Sequence, residues 1–167
     1  MKVSAQEEYG LRCLMQMARN GAEASLSIPE ISRAEGLSAP NVAKLMRVLR
    51  LGGLVSSVRG QEGGYVLARP PESITLDQVL EVLGEPLFGA RFCEQHTGAE
   101  RTCAHRRDCS MRPVWISIQR RVNDVLARTS LRDLLRDEEE VAEWVSRFES
   151  NGSRGNRNTL TGTAHNS

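Results

Sequence analysis

Two helix starts of the same design, Ser27-Ile-Pro-Glu and Ser38-Ala-Pro-Asn, constrain this chain most. In each, a serine stands two places before a proline, so the hydroxyl can accept a first-turn N–H while the proline sits where no N–H is needed. Glu30 completes a capping box with Ser27. Gly36 predicts a stop after Glu35, and Gly52 with Gly53 predicts a second stop after the apolar set Val42, Leu45, Met46 and Leu49. Two helices joined by a short glycine-bearing turn predict a helix-turn-helix. Ahead of it, residues 6–19 predict a helix with Leu11, Leu14, Met15 and Ala18 on one face.

After the second helix, LVSSV (54–58) and YVLAR (65–69) favour β structure on either side of RGQEGG, whose glycines permit positive φ at a hairpin tip. Helix, helix-turn-helix and hairpin in that order predict a mainly α fold with a small β-hairpin, a winged helix over residues 1–72. SITLDQVLEVLGEP then predicts a linking helix, capped by Ser73 or Thr75 and carrying Leu76, Val79, Leu80 and Leu83. The linking helix and a cysteine-rich loop occupy 73–112. Pro113 opens a long helix on which Trp115, Ile118, Val122 and Val125 form a stripe suited to pairing with the same stripe of a second copy. A last helix is expected from Ser130, with Asp133 as its capping acid, so that 113–149 supply the dimerisation helices. The polar run 150–167 buries too little apolar surface to offset its ordering entropy and is expected to be disordered.

The overall charge of +1 is uninformative, and aromatics at 4% argue against a stacking platform for single strands. The placement of charge says more. Lys44, Arg47 and Arg50 lie on the second helix of the pair and Arg59 at the hairpin tip, where cations meet phosphates. Ser38, Pro40 and Asn41 at the start of that helix face the groove, and Asn41 can bond an adenine edge or cap the helix. No apolar segment of the signal-peptide kind opens the chain, and no run reaches the roughly 18 apolar residues of a membrane span. A cytoplasmic protein without a membrane partner is expected. No C-x-x-C pair or nucleotide fingerprint is present, and GQEGG lacks the lysine of a phosphate-binding loop, so no enzymatic activity is expected.

The run GLVSSVRGQEGGYVLARPPESITLDQVLEVLGEP closely resembles the wing and following helix of IscR/NsrR-like winged-helix transcriptional regulators, iron–sulfur cluster sensors. MKVSAQEEYGLRCLMQMA, SIPEISRAEGLSAPNVAKLMRVLRLGGLV and the loop end CSMRPVW resemble the same family in order and spacing, so the likeness spans roughly 1–135. It implies a homodimer on a pseudo-palindromic operator in double-stranded DNA, most simply a repressor.

Residues 93–109 set three cysteines in a C-x9-C-x5-C pattern. Arg101, Arg106 and Arg107 favour the thiolate, which is both metal ligand and nucleophile. In the reducing cytosol such a trio points to metal or redox chemistry more than to a structural disulfide. By residue type alone an iron–sulfur cluster, a zinc site completed by a histidine, and a metal-free thiol switch all remain open. The resemblance implies that Cys93, Cys103 and Cys109 hold an iron–sulfur cluster, either [2Fe-2S] or [4Fe-4S], sensing redox state, nitric oxide or cluster status. It makes Glu8, from the second subunit, the fourth ligand, with His105 or His96 as alternatives. The chain departs from the family in Arg112, where some relatives carry a ligating histidine, and in the first gap, longer than the usual x5. Cys13, inside the first helix, reads as a buried small hydrophobe.

Overall fold

A computed structural model describes residues 3–21, 23–60, 63–86, 88, 92, 103, 105 and 107–152, with side chains described as far as 147. Its described residues form six α-helices, two single 3-10 turns and one two-stranded antiparallel hairpin.

Local chemistry accounts for the first three helices. Helix α1 (Ala5–Asn20) opens with a reciprocal capping box between Ser4 and Glu7. Helix α2 (Ile28–Glu35) opens with the expected box, in which the Glu30 carboxylate accepts the Ser27 N–H at 2.8 Å and its hydroxyl at 2.6 Å. These donors hold the Glu30 carboxyl below its ordinary pKa. Gly36 stops α2 in the left-handed conformation at φ 65°, open to glycine without strain. Helix α3 (Ala39–Leu51) follows, and α2 with α3 forms the helix-turn-helix.

The core is built from α1, α2 and α3 together, with Leu14, Met17, Ile31, Val42, Leu45, Met46 and Leu49 all buried. Each such side chain contributes about 2 kcal/mol by leaving water. The buried face of α1 is Gly10, Cys13, Leu14, Met17 and Ala18, turned from the expected one. Leu11 and Met15 are only half-buried, because α1 meets the helix over Leu76–Leu83 as well as α2 and α3. Arg12 ties α1 to the end of α2: its Nε lies 2.9 Å from the Glu35 carboxylate and a terminal nitrogen donates to the Glu35 carbonyl at 2.7 Å.

Strands β1 (Val55–Val58) and β2 (Gly64–Leu67) pair with Val55 opposite Leu67 and Val58 opposite Gly64. The hairpin is fastened to the body by an isolated bridge, with Leu26 and Tyr65 exchanging two backbone hydrogen bonds of 2.9 Å. Arg69 extends the attachment, donating to the Ser73 carbonyl and, at 3.0 Å, to Gln78 of α4 (Leu76–Leu83).

Helix α5 (Met111–Leu126) is long, and none of its residues is buried. The chain after it returns to the core: Thr75 and Ser130 form a bridge, Leu76 N–H donates to Thr129 at 2.8 Å, and Leu131 N–H donates to Ile74 at 2.9 Å. Here the structure corrects the expected helix start at Ser130. Ser130 and Asp133 do form a reciprocal cap, but for a single 3-10 turn (Asp133–Leu135), because Leu131 is drawn fully into the core. Residues through Leu135 form one compact unit.

In the second unit, from Arg136, helix α6 (Glu138–Gly152) starts with Asp137 accepting the Glu140 N–H at 2.8 Å. It runs to Gly152, into the polar run 150–167 that was expected to be disordered. Residues 153–167, the rest of the tail expected to be disordered, lie outside the described residues.

Candidate DNA-binding surface and cysteine loop

Burial of Val42, Leu45, Met46 and Leu49 turns the opposite side of α3 to solvent. Ser38, Pro40, Lys44, Arg47 and Arg50 are exposed there, Asn41 is half-buried, and Arg59 is exposed on the hairpin. Among the described residues none of these four cations has a carboxylate partner. Neither Ser38 nor Asn41 caps α3 by a side-chain hydrogen bond among them, which leaves both polar groups available to a ligand. A cationic helix face beside an exposed hairpin suits a negatively charged groove with phosphates on its rim.

The hairpin explains why RGQEGGYVLAR is so distinctive. Gly60 sits at φ 127°, where a side chain is strained. A β-carbon at Gly64 would lie 2.6 Å from the Leu26 carbonyl oxygen, so only glycine lets the strand reach the bridging backbone. Tyr65 makes the bridge, Leu67 enters the core and Arg69 grips the next helix.

The flanks of the cysteine loop are held on α5. Phe88 stacks on Trp115 with ring centroids 5.0 Å apart and 8° between planes, and Phe92 meets both rings edge-on. Phe88 N–H also donates to the Gln119 side chain at 2.8 Å. Phe92 precedes Cys93 in the sequence, and at the far end the Cys109 carbonyl accepts the Arg112 N–H at 3.2 Å, inside the first turn of α5. No sequence pattern pointed to Phe88, Phe92 and Gln119; a pair of aromatics just before a cysteine loop is the signal that could have done so.

Cys103 and Cys109 are free and half-buried, and His105 is exposed. Cys93 and His96 lie outside the described residues, and among the described residues no three His, Cys, Asp or Glu side chains are grouped to hold a metal. Glu8 is exposed on α1, one turn before Arg12, whose charge it favours. As a donor set, three cysteine thiols with a carboxylate or imidazole have the chemistry of an iron–sulfur site.

Cys13 differs from the loop cysteines. It is fully buried, and burial pushes its thiol up to about 11 from 9.0. Iodoacetamide at pH 8 is therefore expected to label Cys103 and Cys109 in the folded, metal-free protein and Cys13 only after unfolding. Between pH 9 and 11 the unfolded thiol ionises and the folded one does not, so stability falls as pH rises, by about 3 kcal/mol once both states are ionised. Denaturant unfolding across that window checks it: the stability deficit of Cys13→Ala shrinks as the pH climbs.

Among the remaining exposed groups, α5 presents Met111, Val114 and Val125 to solvent. They join Ile118 and Val122, both half-buried, in one stripe, while Trp115 packs on the loop flank of its own chain. Ile116 is also exposed but lies on another side of the helix. Among the described residues no helix is long and apolar enough to cross a membrane.

Comparison with known proteins identifies the arrangement. Residues 3–137 match the model of the family described as Rrf2, iron-dependent transcriptional regulator. The chain is 34% identical over 134 residues to the HTH-type transcriptional regulator CymR of Bacillus subtilis, covering 80% of this chain and 89% of CymR. It is 32% identical over 144 residues to the HTH-type transcriptional regulator IscR of Cereibacter sphaeroides, covering 83% and 89%. The solved structure of CymR, described as the global cysteine regulator of B. subtilis, is similar with TM-score 0.66 at 31% identity, over 81% of this chain and 96% of that one. The structure of T. potens IscR gives 0.64 at 32%, over 81% and 86%. These relatives are named as regulators and not as enzymes. With its helix-turn-helix, wing and long helix in the family's order, the chain belongs to the Rrf2 family of winged-helix, DNA-binding transcriptional regulators.

Proposed function

We propose that the protein is a cytoplasmic homodimer that represses transcription from pseudo-palindromic operators, and that an iron–sulfur cluster in its cysteine loop sets its operator affinity. The observation that carries this reading is the attachment of both loop flanks to α5, the helix whose exposed apolar stripe suits pairing with a second copy. A change in the loop is thereby a change at the base of the dimer helix, and the spacing of two recognition helices follows it. Half-sites one DNA turn apart, about 34 Å, are sensitive to that spacing.

Cys93, Cys103 and Cys109 would hold the cluster, with Glu8 of the partner subunit as the fourth ligand and His105 or His96 as local substitutes. When bound, the cluster supplies one-electron redox chemistry and reactivity toward nitric oxide. Ser38, Pro40 and Asn41 read bases in the major groove, Lys44 and Arg47 neutralise phosphates beside them, and Arg59 reaches the adjacent minor groove. The iron-dependent description of the family supports the metal.

The likeness to CymR, a cysteine regulator by its description, favours a second reading in which the half-buried thiols of Cys103 and Cys109 are the switch and no metal binds. Anaerobic purification with iron and acid-labile sulfide quantitation separates the two. The cluster reading expects a coloured protein with about equal iron and sulfide, tighter binding than its chelator-treated form to a duplex selected from a random pool, and cluster loss in Glu8→Ala. A colourless, iron-free protein of the same affinity sinks it in favour of the thiol reading. A normal cluster in Glu8→Ala moves the fourth ligand to His105 or His96.

A further inference from the structure

The last turn of α4 packs against two helices through three glycines. A β-carbon at Gly52, the cap of the recognition helix α3, would collide with both γ-methyls of Val82. One at Gly10, in the middle of α1, would lie 2.6 Å from both δ-methyls of Leu83. One at Gly84 would collide with the carboxylate of Glu7, the residue that caps α1. Gln6 adds a hydrogen bond to the Leu83 carbonyl at 2.6 Å. A glycine inside a helix costs about 1 kcal/mol relative to alanine, so Gly10 is explained by the close approach it permits. The Leu83 and Glu7 ends can turn aside, but Val82 meets Gly52 through a β-branched side chain with a single stiff torsion, so a shift of one partner is passed to the other.

The position of α4 in the chain gives this seam a role. Its first turn is stitched to the residues that follow α5, and its last turn leads by way of Phe88 into the cysteine loop. We propose that Val82, wedged on Gly52, is the positioning residue through which the state of the cysteine loop reaches the recognition helix. The inference rests on the proposed control of DNA binding by that loop. Displacement of the loop flank moves the end of α4, Val82 presses on or withdraws from Gly52, and α3 tilts about its C-terminal end.

A double-mutant cycle tests this. A duplex is selected from a random pool by the wild-type protein, and its Kd is measured with and without Cys103→Ser/Cys109→Ser, in the wild-type and Val82→Ala backgrounds. The loop substitution is expected to change Kd tenfold or more in the wild type and less than threefold in Val82→Ala. The size-exchanged pair Gly52→Ala/Val82→Ala, which refills the space, is expected to restore the response, an outcome that simple destabilisation does not produce. An undiminished response in Val82→Ala overturns the wedge while leaving loop control standing. If the loop substitution leaves the wild-type Kd unchanged, loop control fails and the wedge falls with it.

Discussion

Val114→Glu/Val125→Glu is expected to leave a folded monomer whose affinity for the selected operator has fallen at least a hundredfold. Val114 and Val125 are 52% and 39% exposed within the chain, so glutamates there meet water in an isolated subunit and a facing apolar stripe in a dimer. Burying two carboxylates, doubled by symmetry, in such a seam is prohibitive. The loss in operator affinity follows from linkage: the second half-site is engaged at an effective concentration set by the first, which multiplies affinity by roughly 10² to 10⁴. Sedimentation at micromolar concentration reads the dimer and titration of one- and two-half-site duplexes reads the affinity. Ile116→Glu is the control, since Ile116 is 44% exposed on the same helix but off the stripe. A dimeric double variant, or equal losses from the control, defeats the proposed interface.

Gly64→Ala is expected to be the most damaging single methyl group that can be added to the wing. The new β-carbon would stand 2.6 Å from the Leu26 carbonyl oxygen and 2.7 Å from its carbon, which are backbone atoms without a rotamer to escape into. Relief requires that the Leu26–Tyr65 bridge open, with loss of two hydrogen bonds and displacement of a buried leucine. Overpacking of about 1–3 kcal/mol together with about 1 kcal/mol per lost bond gives a total near 4 kcal/mol. A drop of roughly 10 °C or more in melting temperature is expected for a chain of this size, with operator affinity reduced further because the wing loses its anchor. Gly36→Asn is the comparison: a β-carbon there has nothing within 4 Å and asparagine accepts the left-handed backbone. A Gly64→Ala protein melting within 2 °C of the wild type would refute the argument.

The parts of this structure that announced themselves are those fixed by short-range chemistry. Ser27, Glu30 and Gly36 cap and stop α2 in the expected places, and the wing glycines mark a real hairpin. Legibility failed where distant residues decide. The buried face of α1 includes Gly10 because Leu83, far away in sequence, packs there, whereas Cys13 is buried as expected. Ser130 and Asp133 read as the start of a helix, and the local cap is present, but the pull of Leu131 into the core ends it after one turn. Gly52 read as a helix stop, and the packing of Val82 against it, like that of Glu7 against Gly84, left no mark in the pattern. At the cysteine loop the ligand types were plain from composition. The aromatic hold of Phe88 and Phe92 on Trp115 was not, since three rings scattered over 28 positions show no period.

The backbone stitch between 74–76 and 129–131 closes a ring in the chain, and both cysteine-loop flanks are fastened inside that ring. The length of the loop is thereby decoupled from the scaffold that closes it. The nine-residue first gap of this loop, set against the five-residue gap of the family it resembles, lengthens the span from Phe92 to Cys109 by four residues. The entropy of closing a loop rises only with the logarithm of its length, so that extension costs about 0.2 kcal/mol. A loop closed at its base in this way can change length while the helix-turn-helix and wing keep their packing.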